Sequence, residues 1–289
     1  MDLAIIKAEL EASEIKTGNR LVGLSAISIK NYISKIIKLN KSGDDYFKTI
    51  MEYQKLNSRL AMEASVLGAA KHSLTFNQFV GPELIKKINE QSVKDCLALK
   101  KEPGQLKSEK EKENWVSLTE LKEITKSKEA DFTLQELLLI KMYTELPPVR
   151  LDYGQVHIVK EPLENGNYLL INKQGMTLTI NDHKTGESVG PIVTKLPKKI
   201  TELISRLPIT QNFLFETKAN KPFLTADTFG VYLRNVFFKL TGKNLSVDIL
   251  RHIYITKVSK GERSKETKKK LADQMGHSVG TQENYHRVN

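Results

Sequence analysis

The chain has 289 residues, 39% of them apolar and 27% charged, which is the composition of a soluble globular protein with one or two domains that each bury a core. A formal net charge of +11 favours a polyanionic partner, nucleic acid or an anionic surface, and says nothing about chemistry. One cysteine, Cys96, excludes an internal disulfide framework and a cysteine-built zinc site, while the lack of a long apolar run and the acid-bearing start MDLAIIKAELEASEIK predict an intracellular protein without membrane span or signal peptide.

The first clear element is LSAISIKNYISKIIKLN. Ile29, Tyr32, Ile33, Ile36 and Ile37 form a helical stripe, Lys30, Lys35 and Lys38 fall off it, and Ser28 or Ser25 can cap its start. Helical patterns continue through DDYFKTIMEYQKLNSRLAMEA, SLTFNQFV and GPELIKKINEQSVKDCLALK. Residues 1–100 are therefore expected to be an all-α, basic module, with 1–20 a candidate arm. Residues 101–114, most of KKEPGQLKSEKEKEN, have the composition of a linker that cannot bury enough apolar surface to order itself.

A second domain, 115–289, is expected to begin at Trp115. Ser117 with Glu120, and Thr133 with Glu136, are capping-box pairs for two helices, the second of which must stop at Leu146-Pro147-Pro148. Between 168 and 195 the period changes to two. NYLLINKQG, MTLTINDHKTG and ESVGPIVTKL predict a three-stranded antiparallel sheet whose second turn carries His183-Lys184-Thr185-Gly186. Helices resume in PKKITELISRL, TADTFGVYLRNVFFKLTG and SVDILRHIYITKVSKG. The fold class is thus mainly α with one small sheet.

The six histidines show no metal-ligand spacing, and HKTGE lacks the spacing of a phosphate loop. Four stretches remain: ELPPVRLDY with Arg150, INDHKTGES with Lys184, DILRHIYIT with Arg251, and MGHSVGTQENY with His277 and Tyr285. Phosphodiester cleavage without metal or nucleotide would need such groups. A tyrosine can attack phosphorus and store the bond energy in a covalent ester. Paired arginines suit the charge that grows on the nonbridging oxygens, a lysine can protonate the departing alkoxide, and a histidine can add a further donor. Singly, each has an ordinary reading. Arg150 could cap a helix end, Lys184 could be a solvated turn lysine, Arg251 with His252 a buried pair, His277 a helix cap and Tyr285 a packing residue.

Their order and local wording resemble the tyrosine recombinases, or phage-type integrases. In that family an arginine follows a helix and a lysine sits in the turn of a small sheet. An arginine then stands in a His-x-x-Arg-His motif, followed by a Gly-His and a tyrosine. ELPPVRLDY, DHKTGES, LRHIYIT and LADQMGHSVGTQENY match in turn. The LPP-x-R-x-D-Y wording, NWVSLTEL and HKTGESVG look most like integrases of large DNA viruses, virophages and related mobile elements. The likeness covers 115–289 well and extends more weakly to the first hundred residues, which resemble the family's core-binding domain.

The resemblance implies a two-domain, C-shaped clamp around double-stranded DNA, without metal or cofactor. Tyr285 would be the nucleophile that forms a 3′-phosphotyrosyl bond. Arg150 and Arg251 would hold the phosphate, Lys184 would be the general acid, and His277 would assist. Asp248 stands where the family most often has histidine, or lysine in type IB topoisomerases; a carboxylate there repels phosphate unless it pairs with an arginine or accepts a proton from Tyr285, and an enzyme in which it does neither would be inactive. Only His286, Arg287, Val288 and Asn289 follow Tyr285, which leaves little chain to exchange between subunits. A homotetramer on DNA, monomeric in solution, would then use other surfaces. The stretch KVSKGERSKETKKKL, with Lys257, Lys260, Arg263 and Lys268, is either a solvated loop or a phosphate-contacting one, and Lys30, Lys35 and Lys38 are like candidates in the first domain. Site-specific recombination or integration is the expected function; a type IB topoisomerase and a noncatalytic DNA-binding relative are the competing readings.

Overall fold

The structure, a computed structural model, describes every residue except 18–19, 42, 44, 102–105, 259–263 and 288–289; of 15–17, 20–22, 100–101, 187–188 and 283–284 it describes only the backbone. The chain divides into two compact units, Met1–Gly104 and Gln105–Asn289. No helix among the described residues is long and apolar enough to cross a membrane.

Among the described residues of the first unit, six helices run over Leu3–Ala12, Ala26–Lys41, Tyr46–Met51, Leu56–His72, Leu74–Val80 and Pro82–Lys101. The striped helix buries Ile29, Ile36 and Leu39 against Met62, Val66 and Ala69 of Leu56–His72, with Phe76 and Ile88 completing the core. Ser25, not Ser28, caps it, accepting from the Ser28 N–H at 3.1 Å. The module is not all-α. Strands β1 (Glu14–Thr17) and β2 (Arg20–Gly23) pair antiparallel. The sequence EIKTGNRLVG carries a turn dipeptide between β-branched residues, a hairpin signal too short to stand out beside the helical stripes.

In the second unit the helices Leu118–Ser127 and Leu134–Glu145 start at the two expected capping boxes, and the latter gives way at Leu146 before the proline pair. Leu137, Leu138, Leu139, Ile140 and Met142 are buried almost all round that helix, which makes it the centre of the core with Phe215, Phe229, Leu233 and Phe237. Glu109–Asn114, inside the stretch read as a linker, is a helix with its own capping box between Ser108 and Glu111.

The sheet has four strands rather than three. β3 (His157–Val159) lies parallel to β4 (Tyr168–Asn172), which pairs antiparallel with β5 (Gly175–Ile180), itself antiparallel to β6 (Ile192–Lys195). A three-residue strand shows too little alternation to be read from sequence. The residues expected to open the third strand instead form a helical turn, Gly186–Val189, so β6 begins at Ile192. The rest of the basic stretch after Lys257 is not all loop either, because Lys265–Gln274 is a helix, capped by Ser264.

Glu63 is an exception in the first unit's core: a fully buried carboxyl group set beside that of Asp95. Next to it Asp95 is held by Arg59, whose Nη2 donates at 2.8 Å, and by Gln91, also at 2.8 Å. Burial, then the neighbouring Asp95 charge, pushes Glu63 up to about 7 from 4.5. Because the folded value lies above the unfolded one, the contribution to stability is full below about 4.5 and is lost as pH rises through about 7. Glu63→Gln should therefore abolish a fall in the first unit's stability between these values. Thermal melts of both proteins across that range check it; parallel pH profiles would refute it.

Candidate functional site

The proline pair that ends Leu134–Glu145 turns the chain so that Arg150 follows in a bend, and the Tyr143 hydroxyl donates to the Arg150 carbonyl at 2.5 Å. Arg251 comes from the buried face of the helix Val247–Val258 and is wholly buried. Its Nη1 donates to the Pro148 carbonyl at 2.7 Å, and Nη1 and Nη2 reach the Met275 carbonyl at 3.3 and 3.2 Å. Arg150 Nη1 donates to the next carbonyl, that of Gly276, at 3.3 Å. The two guanidiniums thus grip adjacent carbonyls of one turn. Burial lowers the Arg251 pKa, yet a guanidinium stays charged at any physiological pH. Among the described residues neither arginine is ion-paired with a carboxylate. Two such cations side by side, one of them desolvated, are a site built for an anion.

Gly276 makes this turn possible. Its φ of +63° lies in the left-handed region, and a Cβ there would meet Ile192 Cδ1 at 3.0 Å and His183 Nδ1 at 3.1 Å. Its carbonyl also accepts from Thr185 Oγ1 at 2.6 Å, which ties the Gly-His turn to the sheet turn that carries Lys184. His277 follows, 2% exposed. Its Nδ1 lies 3.1 Å from the Ser278 carbonyl, an acceptor only, so Nδ1 carries the proton and the buried, unpartnered Nε2 carries the lone pair. Burial holds the His277 pKa down to about 4, with Arg251 and Arg150 adding to the depression, and the ring is neutral at pH 7.

Tyr285 ends the helix Val279–Tyr285. Its ring stacks on His277 with centroids 5.5 Å apart and an interplanar angle of 21°, and Arg251 Cζ lies 4.8 Å from the ring centre. The Tyr285 ring therefore lies against both Arg251 and His277. Tyr285 also lines a groove of about 560 Å³ with Arg150, Lys184 and Asp248. Lys184 is exposed there, as is Asp248 in the first turn of the Arg251 helix. Asp152 lies in the same groove, its carboxyl pushed up by burial against the opposing pull of His183 and Arg150. A larger concavity of about 770 Å³, around Thr133, Asn212 and Tyr232, has no such pair of cations.

The six residues expected at the catalytic centre are thus brought to one place. The candidate phosphate contacts are elsewhere or spread out. Lys257 is at the end of the Arg251 helix and Lys268 on Lys265–Gln274, while Lys260 and Arg263 lie outside the described residues. Lys30 and Lys38 are exposed and Lys35 half-buried on the first unit's striped helix, with Lys38 Nζ 4.9 Å from the Tyr53 ring centre. Sequence reasoning missed Thr185, Glu111 and Arg287. Thr185 sits inside the quoted HKTGES motif and could have been found; a contact between residues as distant in sequence as Glu111 and Arg287 leaves no local signal.

Gly276→Ala should cost about 1–2 kcal/mol from backbone strain alone, and more where the new methyl meets His183 and Ile192. Denaturant unfolding measures this, and wild-type stability in the variant would refute the packing argument.

No family model matches the chain, and no curated protein does. Among solved structures it is similar to XerA recombinase, with 14% identity, covering 100% of this chain and 95% of that one at a TM-score of 0.45. It is also similar to the Tn1549 transposon integrase in complex with a circular intermediate DNA, with 15% identity, 100% and 96% coverage and a TM-score of 0.44. A complex of the same integrase with transposon right end DNA gives 16% identity, 100% and 96% coverage and a TM-score of 0.39.

Proposed function

We propose that this protein cuts and rejoins DNA strands as tyrosine recombinases do, and that it is the integrase of a virus or mobile element. The observation that supports this best is the meeting of Arg150, Arg251, His277 and Tyr285, from four separate segments, at a groove that Lys184 also lines.

In this scheme a phosphodiester enters the groove, the Tyr285 ring swings off Arg251, and both arginines donate to the nonbridging oxygens. The Tyr285 oxygen attacks phosphorus, its proton passing to the Asp248 carboxylate, which lines the same groove. The bond from phosphorus to the 5′ oxygen breaks, and Lys184 gives that oxygen its proton. A 3′-phosphotyrosyl ester and a free 5′ hydroxyl result. A 5′ hydroxyl from a partner duplex then reverses the steps, so strands are exchanged without ATP, because the ester keeps the bond energy. Assembly as a homotetramer on duplex DNA inside the cell belongs to the same proposal.

One observation favours a second reading. Asp248 puts an exposed carboxylate in the groove, and an anion there repels phosphate. A noncatalytic DNA-binding relative would tolerate this. A type IB topoisomerase, which reseals the strand it cut, is separated from a recombinase by whether two different duplexes become joined.

With a nicked duplex that traps the intermediate, the wild type should form a covalent adduct that Tyr285→Phe lacks; DNA binding without an adduct would support the noncatalytic relative. Arg150→Ala and Arg251→Ala should slow adduct formation by about a hundredfold or more while duplex affinity falls only modestly, since the donors act on charge that develops in the transition state. Equal losses in both would refute the assigned roles. Lys184→Ala should regain its rate on a substrate with a 5′ thiol leaving group, which needs no proton. A variant equally slow on both substrates would remove Lys184 as the acid.

A further inference from the structure

Tyr285 is the last residue of a seven-residue helix, too short to hold itself in water, so the contacts at its ends decide where the phenol lies. The carbonyl at such an end has no donor within the helix. Here the Tyr285 carbonyl accepts from His252 Nδ1 at 2.8 Å. Since a carbonyl only accepts, Nδ1 carries the proton, and Nε2 is left to accept from Arg287 Nη2 at 3.0 Å. Arg287 Nε donates to Glu111 Oε1 at 2.9 Å, and its backbone N–H to Thr256 Oγ1 at 3.0 Å. Glu111 is fixed in turn by the Ser108 N–H and hydroxyl, each 2.8 Å from Oε2.

These bonds form one continuous chain from Ser108 to the Tyr285 carbonyl, with Glu111 accepting on both sides and Arg287 donating on both. The Arg287 and Glu111 side chains are only 11% and 13% exposed, so solvent screens their pairing weakly. His252 and Thr256 lie one turn apart on the helix that also carries Arg251. The phenol and the guanidinium therefore share one rigid support. None of Glu111, His252 and Arg287 lines the groove.

We propose that Glu111, Arg287 and His252 form a strap that fixes the backbone of Tyr285, so that the phenol reaches phosphorus by side-chain rotation alone; this rests on Tyr285 being the nucleophile. They are positioning residues, because none touches the reacting atoms.

The test uses the full chain with Arg287→Met and, as a milder change, Glu111→Gln. Three quantities are measured: amide hydrogen exchange across residues 279–286 in the protein alone, duplex affinity without cleavage, and the rate of adduct formation on the nicked duplex. Exchange should quicken and the adduct rate should fall by about ten- to a hundredfold, the effect of a displaced reacting group, with affinity changed by no more than about twofold. Arg287→Lys, which keeps the charge but loses the fork, should recover part of the rate. Unchanged exchange in both variants would overturn the strap. Faster exchange with an unaltered adduct rate, or affinity and rate falling together, would overturn its positioning role. A wild type that forms no adduct would instead sink the nucleophile reading, and the strap's purpose with it, while the exchange data would still show whether the linkage holds the helix.

Discussion

The second unit's site depends on two guanidiniums that hold the backbone of a single turn. Arg251 holds the Met275 carbonyl and Arg150 the Gly276 carbonyl, and through them a bend after one helix, the face of another and the Gly-His turn become one body. A guanidinium suits this because its planar fork can serve several acceptors at once and still keep donors to spare. In the proposed scheme it is these spare donors, on the same two side chains, that would meet a phosphate.

Electrostatics makes the arrangement specific. A buried cation without a carboxylate is costly, and here the compensation comes from carbonyl oxygens and the face of the Tyr285 ring, which attract a cation less strongly than a formal negative charge does. Under the proposed function, an incoming diester anion would therefore gain more from Arg251 than from a solvated arginine on the surface. The same field and the same burial keep His277 neutral, with its lone pair directed inward. Asp248 and Asp152 temper the field from the groove's rim and floor. The groove thus sets two carboxylates beside Arg150 and Lys184.

The strap at the C-terminal end shows how a helix too short to be stable alone can still carry an aimed side chain. Its geometry comes from His252 and Thr256 on a long, well-packed neighbour and from Glu111, whose helix lies in a stretch with the composition of a linker. Charge-rich composition was a fair reason to expect no order there. A capping box and one partly buried ion pair reverse that expectation for Glu109–Asn114, because each satisfies groups that water would otherwise have to solvate.

Local sequence determined much of this protein: the striped helix, the capping boxes at Ser117 and Thr133, the stop at Pro147-Pro148, and the six residues that line or floor the site. These were legible because helix periods, caps and turn chemistry act within a few residues of chain, and because the motif wording carried the rest. The hairpin at Glu14–Gly23, the fourth strand at His157–Val159, the Gly186–Val189 turn and the Glu111–Arg287 link were decided by tertiary structure. Short strands draw their stability from partners rather than from propensity, and an ion pair between residues 176 apart has no periodicity to betray it. Sequence set which groups could meet; only packing set the left-handed turn at Gly276, the burial of Arg251 and the protonation of His277, since each depends on how much water the folded chain excludes.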